Sequence, residues 1–233
     1  MQLDPEVMRA LPVWFTATLL SLTVHEAAHA WVGKLGGDNT AEDQVTLNPA
    51  PHAARQPFGM LLVPVASFLL YGGTWMIGFA SAPYDPHWAM RFPKRSALMA
   101  AAGPLSNFLL AILAGVVIHI GIGSGAWTPG TTALDSTVVL AGDGGSSAFT
   151  VFVSVLFSVN VLLGVFNLLP FAPLDGHAVV PLFLNERQTR KWLSFFDDRG
   201  AQIFGFMIAL VLFTKVAFPV HRVALQLLYW PLS

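Results

Sequence analysis

Leu22-Thr23-Val24-His25-Glu26-Ala27-Ala28-His29-Ala30-Trp31 is the stretch on which the reading of this chain turns. It lies inside an apolar run over about 8–33, and a helix needs about 20 such residues to cross the hydrocarbon layer of a bilayer. Yet its interior carries three ionisable side chains, His25, Glu26 and His29. Each charge near the centre of a span costs about 2.5–3.5 kcal/mol on insertion scales, so such groups persist when paired, metal-bound or turned to a cavity. On a helix, positions i and i+4 share a face. His25 and His29 can therefore offer two nitrogens to one metal ion. Glu26 sits next to them, off the ligand axis, where a general base for metal-activated water belongs. The plainer alternative is a helix end with snorkelling polar residues near Gly33 and Lys34.

The composition supports a membrane setting. Of 233 residues, 55% are hydrophobic and 11% charged, whereas a soluble domain carries about 25% charged residues. The net charge of −1 gives no reason to expect a nucleic-acid partner. The chain has no cysteine, so a metal site must be built from His, Asp and Glu. Asp4 and Glu6 near the start, with Arg9 alone as a basic residue, do not resemble a cleavable signal peptide, and the first apolar run is expected to stay as an anchor.

Working outward, apolar stretches fall at about 8–33, 58–80, 97–122, 149–170 and 201–218. Gly36-Gly37-Asp38-Asn39 ends the first with helix-stop chemistry, and Ala82-Pro83-Tyr84-Asp85-Pro86 is a clear break. Ser124 to Ser147 is rich in Gly, Ser and Thr and reads as a loop. The expected fold is an all-α polytopic helix bundle with four to five spans, forming one domain over 1–233. Its core helices are at about 8–33, 97–122 and 149–170, with further membrane segments at 58–80 and 201–218. Lys34, Arg55, Arg91, Lys94, Arg95, Arg187, Arg190, Lys191 and Arg199 occupy linkers, while 123–148 has no Lys or Arg. The positive-inside rule puts the basic linkers in the cytosol and 123–148 outside. That holds for every linker only if 58–80, interrupted by Pro64 and Gly72-Gly73, enters and leaves on one side as a re-entrant segment. Lys215 and Pro219 interrupt the last run, so a span to about 218 followed by an interfacial helix through Tyr229 and Trp230 is expected, with one long tilted helix as the alternative.

Two histidines do not complete a catalytic zinc site, which has three protein ligands and an open position. Asp175 stands out in Asn167-Leu168-Leu169-Pro170-Phe171-Ala172-Pro173-Leu174-Asp175-Gly176, where two prolines break the helix. Local chemistry leaves two readings open: a metal ligand, or the N-cap of a short following helix. The topology links them. Asp175 lies past the end of the fourth stretch, and the histidines lie near the end of the first. They can meet if both helices run the same way, which the re-entrant reading of 58–80 requires.

With these motifs in place, the chain resembles the site-2 protease family of intramembrane zinc metalloproteases. The likeness rests on Val24-His25-Glu26-Ala27-Ala28-His29-Ala30, Thr46-Leu47-Asn48-Pro49, Ala101-Ala102-Gly103-Pro104-Leu105-Ser106-Asn107 and Asn167 through Gly176, spanning about 20–180. The resemblance implies one Zn2+ held by His25, His29 and Asp175, with Glu26 as base. It also implies that Asn167 lies near substrate or transition state, with Asn107 as a further candidate. Helix packing by Gly103 accounts for much of the segment around Asn107.

His177 stands where relatives have a second glycine, and it is expected at an interface rather than on the metal. His52, after Asn48-Pro49, is expected to be structural. No sensor module is recognisable, so regulation is expected from partners or from the substrate's own state. The reaction implied is peptide hydrolysis within or near transmembrane segments of membrane-protein substrates, in a lipid bilayer. The setting implied is a prokaryotic cell membrane, with the site towards the cytosol. The rival reading is a non-enzymatic zinc-binding membrane protein or carrier, which would spread polar residues along a path rather than gather them at one depth.

Overall fold

The computed structural model describes residues 5–130, 138–142, 144–196 and 198–230. The helices are α1 (Pro5–Gly36), α2 (Pro49–Arg55), α3 (Val63–Leu70), α4 (Pro86–Arg91), α5 (Pro93–Gly123), α6 (Ala148–Asn167), α7 (Asp175–Val179), α8 (Glu186–Phe195) and α9 (Arg199–Tyr229). Among the described residues α1, α5, α6 and α9 are long and apolar enough to cross a membrane, and a bent pair formed by α2 and Phe58–Leu70 could add one more.

α1 ends as its glycines foretell. Gly37 takes φ 97°, Asp38 N–H donates to Gly33 O at 2.9 Å and Gly37 N–H to Lys34 O at 3.0 Å, the paired bonds of a Schellman stop. Trp88 Nε1 and Arg95 Nη1 then both donate to Gly36 O, at 3.1 and 3.2 Å. The end of α1 and the beginning of α5 therefore lie together, and the chain between them returns to the level it left.

The segment at 58–80 carries out that return. A π-helical turn at Phe58–Leu62 leads into α3, Gly72 and Gly73 turn the chain at φ 63° and 81°, and an extended run comes back along the helix. Phe79 N–H donates to Gly59 O at 3.1 Å, and Ile77 N–H to Ser67 Oγ at 2.9 Å. Entry and exit are side by side, as the re-entrant reading expects.

α6 starts on a capping box between Ser147 and Thr150. It runs parallel to α1, with α5 antiparallel to both. One core cluster joins Trp14 and Ala17 of α1 to Val155 and Val159 of α6 and to Phe68 and Met76 of the hairpin. A second joins Ala111, Ala114 and Ile118 of α5 to Val153 and Phe157 of α6 and Leu225 and Leu228 of α9.

Two expectations change. The loop at 124–147 contains a short antiparallel ribbon, β1 (Trp127–Pro129) with β2 (Val139–Ala141), pairing Trp127 with Ala141. Of that loop, 131–137 and 143 lie outside the described residues, as does Asp4 at the N-terminus. The last apolar run is a single helix through Pro219, not a span to 218 followed by a separate interfacial helix. Packing overrides the proline there. His221 Nε2 bonds Ser158 Oγ at 2.8 Å, Leu225 and Leu228 are buried, and the Tyr229 hydroxyl donates to Val138 O.

Candidate metal centre

α1 brings His25, Glu26 and His29 into the bundle, where all three side chains are buried. α7 brings Asp175. After α6 ends, Pro170 and Pro173 keep the chain from continuing as a helix, and Gly176 lets it fold back on the end of α6. A Cβ at Gly176 would collide with Leu168 O and Leu169 O. The cap of α7 is Leu174, with no side-chain cap bond, and Asp175 is the first helical residue. Its carboxylate is thus not spent as an N-cap, and it points at the histidines.

The ligand atoms converge. His25 Nε2 lies 3.0 Å from His29 Nε2, and Asp175 Oδ2 lies 3.1 and 3.4 Å from the two rings. The other ring nitrogens are engaged: His25 Nδ1 meets Asn107 Oδ1 at 2.6 Å, and His29 Nδ1 meets Met99 O at 2.8 Å. Both partners are acceptors, so each Nδ1 carries the hydrogen and, in a neutral ring, each Nε2 presents a lone pair. Two lone pairs and a carboxylate oxygen in mutual contact repel one another unless a cation lies among them. Bonds of about 2.0–2.1 Å in a tetrahedral site put neighbouring ligand atoms about 3.3 Å apart. The observed separations fit such an ion.

Space is kept for it. A Cβ on Gly103 of α5 would strike His29 Nε2 and come within 2.6 Å of His25 Nε2. Beside the cluster Glu26 Oε2 is buried with no hydrogen-bond partner, a costly state unless the carboxylate has a use. Among the described residues, His25, His29 and Asp175 are the group of metal-binding side chains that meets in this way.

The remaining sequence candidates divide. Asn107 is fully buried and sits behind His25, bonded to it and to Asn160. Asn167, on the last turn of α6, uses Nδ2 to donate to Leu163 O at 3.1 Å and is not bonded to the cluster. His177 is held off the cluster by its own turn, with Nδ1 on Leu174 O at 2.6 Å and its ring against Phe196. His52 is buried and bonds Thr46 O through Nε2 at 3.0 Å.

The sequence reading missed Asn160 and Ser21, which complete the bonding of Asn107, and it took Gly103 for helix packing alone. The Gly103 signal was available: a glycine beside a proline in a span leaves a gap, but its neighbour cannot be read from sequence.

Comparison with known proteins agrees with this geometry. The family model for Peptidase family M50 matches residues 14–212. YwhC of Bacillus subtilis, named as a candidate zinc metalloprotease, is 31% identical over 87% of this chain and 80% of its own length. Rip2 of Mycolicibacterium smegmatis, named in the same way, is 30% identical over 91% of this chain and 70% of its own length. No solved structure matches the chain. A match across most of the sequence, over a helical bundle whose apolar spans enclose two histidines and a carboxylate, leads to one conclusion: the chain belongs to peptidase family M50, the site-2 protease family, and is a multi-pass membrane zinc metalloprotease.

Proposed function

We propose that this protease works inside the bilayer, hydrolysing peptide bonds within or near transmembrane segments of membrane proteins. His25, His29 and Asp175 hold the zinc and Glu26 is the general base. The observation that carries the reading is the meeting of two Nε2 atoms and Asp175 Oδ2 beside the unpartnered Glu26 Oε2, among apolar spans.

Zinc held by His25, His29 and Asp175 would supply a Lewis acid and a water whose pKa is lowered towards about 7. The chain's own residues do the rest. Glu26 takes the water's proton on a carboxylate oxygen and passes it to the leaving amine. Asn107 and Met99 O hold the imidazoles in the ligating tautomer. Asn167 spends one Nδ2 hydrogen on its own helix and has a second with which to meet a substrate carbonyl. A stable substrate helix hides its carbonyls in internal bonds, so segments that unwind readily are the preferred ones.

One functional domain comprises the whole chain. The Lys and Arg of the linkers that follow α1 and α6 and precede α5 support a site turned towards the cytosolic face, and the bacterial relatives support a prokaryotic cell membrane as the setting. The test is Glu26→Gln. Zinc should remain bound while cleavage of a helix-weak transmembrane substrate falls on the order of 10²–10⁴-fold. Cleavage at the normal rate would remove Glu26 from the chemistry.

A further inference from the structure

We infer that Asn160 is a positioning residue, which fixes the orientation of Asn107 and through it keeps the Nε2 lone pair of His25 turned to the metal. The inference rests on the zinc-site reading above.

The chain of bonds has a forced polarity, and it begins at two backbone carbonyls that can only accept. Ser21 Oγ donates to Ala17 O at 2.7 Å, so towards Asn160 it accepts. Asn160 Nδ2 donates to Ser21 Oγ at 2.8 Å and to Leu156 O at 2.7 Å, which spends both its hydrogens. Asn160 Oδ1 is therefore what faces Asn107, and it accepts from Asn107 Nδ2 at 2.8 Å. The second Asn107 hydrogen goes to Ser21 O at 3.4 Å. Asn107 Oδ1 is left to face His25 Nδ1 at 2.6 Å, where it can only accept. The hydrogen of the His25 ring must then sit on Nδ1.

Turned over, Asn107 would set its Oδ1 against Asn160 Oδ1, two acceptors in contact, and its Nδ2 against His25 Nδ1. His25 would have to accept there, its hydrogen would move to Nε2, and the ring could not ligate. Without Asn160, only the long bond to Ser21 O opposes that flip. Ser21, Asn107 and Asn160 are all 0% exposed, so water cannot take over the role. His29 is independent, because Met99 O can only accept whatever Asn160 does.

The experiment compares wild type, Asn160→Leu, the double variant Asn107→Asp/Asn160→Leu and Asp175→Ala, each purified as the full chain. Zinc affinity is measured by chelator competition. The His tautomers of the zinc-free protein are read by 15N NMR of labelled histidine.

Asn160→Leu should lose about ten- to a hundred-fold in zinc affinity, the size expected for a partner behind a metal ligand. His25 should become a mixture of tautomers while His29 does not change. In the double variant the carboxylate introduced behind His25 accepts from the ring whichever way it lies, so most of the affinity should return. A merely structural role for Asn160 would lower the melting temperature without changing His25 selectively, and without rescue by the added Asn107→Asp change.

Wild-type zinc affinity in Asn160→Leu, an unchanged His25 tautomer, or a penalty undiminished in the double variant would each overturn the inference. Zinc lost by Asp175→Ala but held normally by Asn160→Leu sinks this inference alone. Zinc held normally by Asp175→Ala sinks the site reading and the inference with it. Should the leucine variant not accumulate, Asn160→Ala is read in the same two assays.

Discussion

α6 and α9 have nearly the same mean hydropathy, 2.3 and 2.2, yet 61% of the span window is buried in α6 and 11% in α9. The apolar count thus shows that both can cross a membrane and says nothing about where each stands. Polar positions separate them. α6 carries Ser154, Ser158 and Asn160 fully buried, and Asn160 reaches across to both α1 and α5. The middle of α9 presents Phe204, Met207 and Val211 outward. In water, burial selects apolar groups. In lipid, where an apolar side chain gains nothing by facing another helix, it is the polar group that has to find the interior.

That contrast can be broken by substitution. Gly103→Ala adds a single methyl group to the interior of the bundle, where its Cβ would strike His29 Nε2. Stoichiometric zinc should be lost, together with cleavage, while the helical fold survives, as read by metal analysis beside circular dichroism. Full zinc occupancy would mean that the rings have more room than the structure gives them.

A smaller effect is expected just outside the spans. Asp38 follows the α1 stop and accepts from the hydroxyl and N–H of Thr40 and from Asp85 N–H, which ties the approach to α4 against the end of α1. Burial raises its pKa, but these bonds outweigh burial and hold it below the ordinary carboxylate value. A depressed folded value means that the stabilisation is complete above the unfolded pKa of about 3.9 and is lost as pH falls through the folded one. Wild type should therefore lose more thermal stability than Asp38→Asn between about pH 5 and pH 3. Parallel curves would show that the carboxylate does no such work.

The smallest effect belongs to α9. Val211→Ala, at a side chain 65% exposed, should change stability by no more than about 0.5 kcal/mol and leave cleavage unaltered. A large loss would mean that this face packs on something other than lipid.

Much of this was legible in the sequence because the two signals involved are local. Apolar length located α1, α5 and α6, and the i, i+4 spacing of His25 and His29 located two of the three members of the cluster. The prolines before Asp175 announced a break, and the charge bias of the linkers announced the hairpin at 58–80. What escaped depends on contacts between distant segments. Asn160 looks like any amide in a span until Asn107 and Ser21 are seen around it. Pro219 reads as a helix end, and only the packing of His221, Leu225 and Leu228 on α5 and α6 carries the helix past it. Strands of three residues give no periodicity from which β1 and β2 could have been read.

The most direct measurement is zinc stoichiometry of the purified chain beside Asp175→Ala. The account predicts one zinc per wild-type chain and little or none in the variant, with the helical content of both the same. Equal zinc in the two proteins would contradict it, because the carboxylate 3.1 and 3.4 Å from the two imidazoles would then not share their ion.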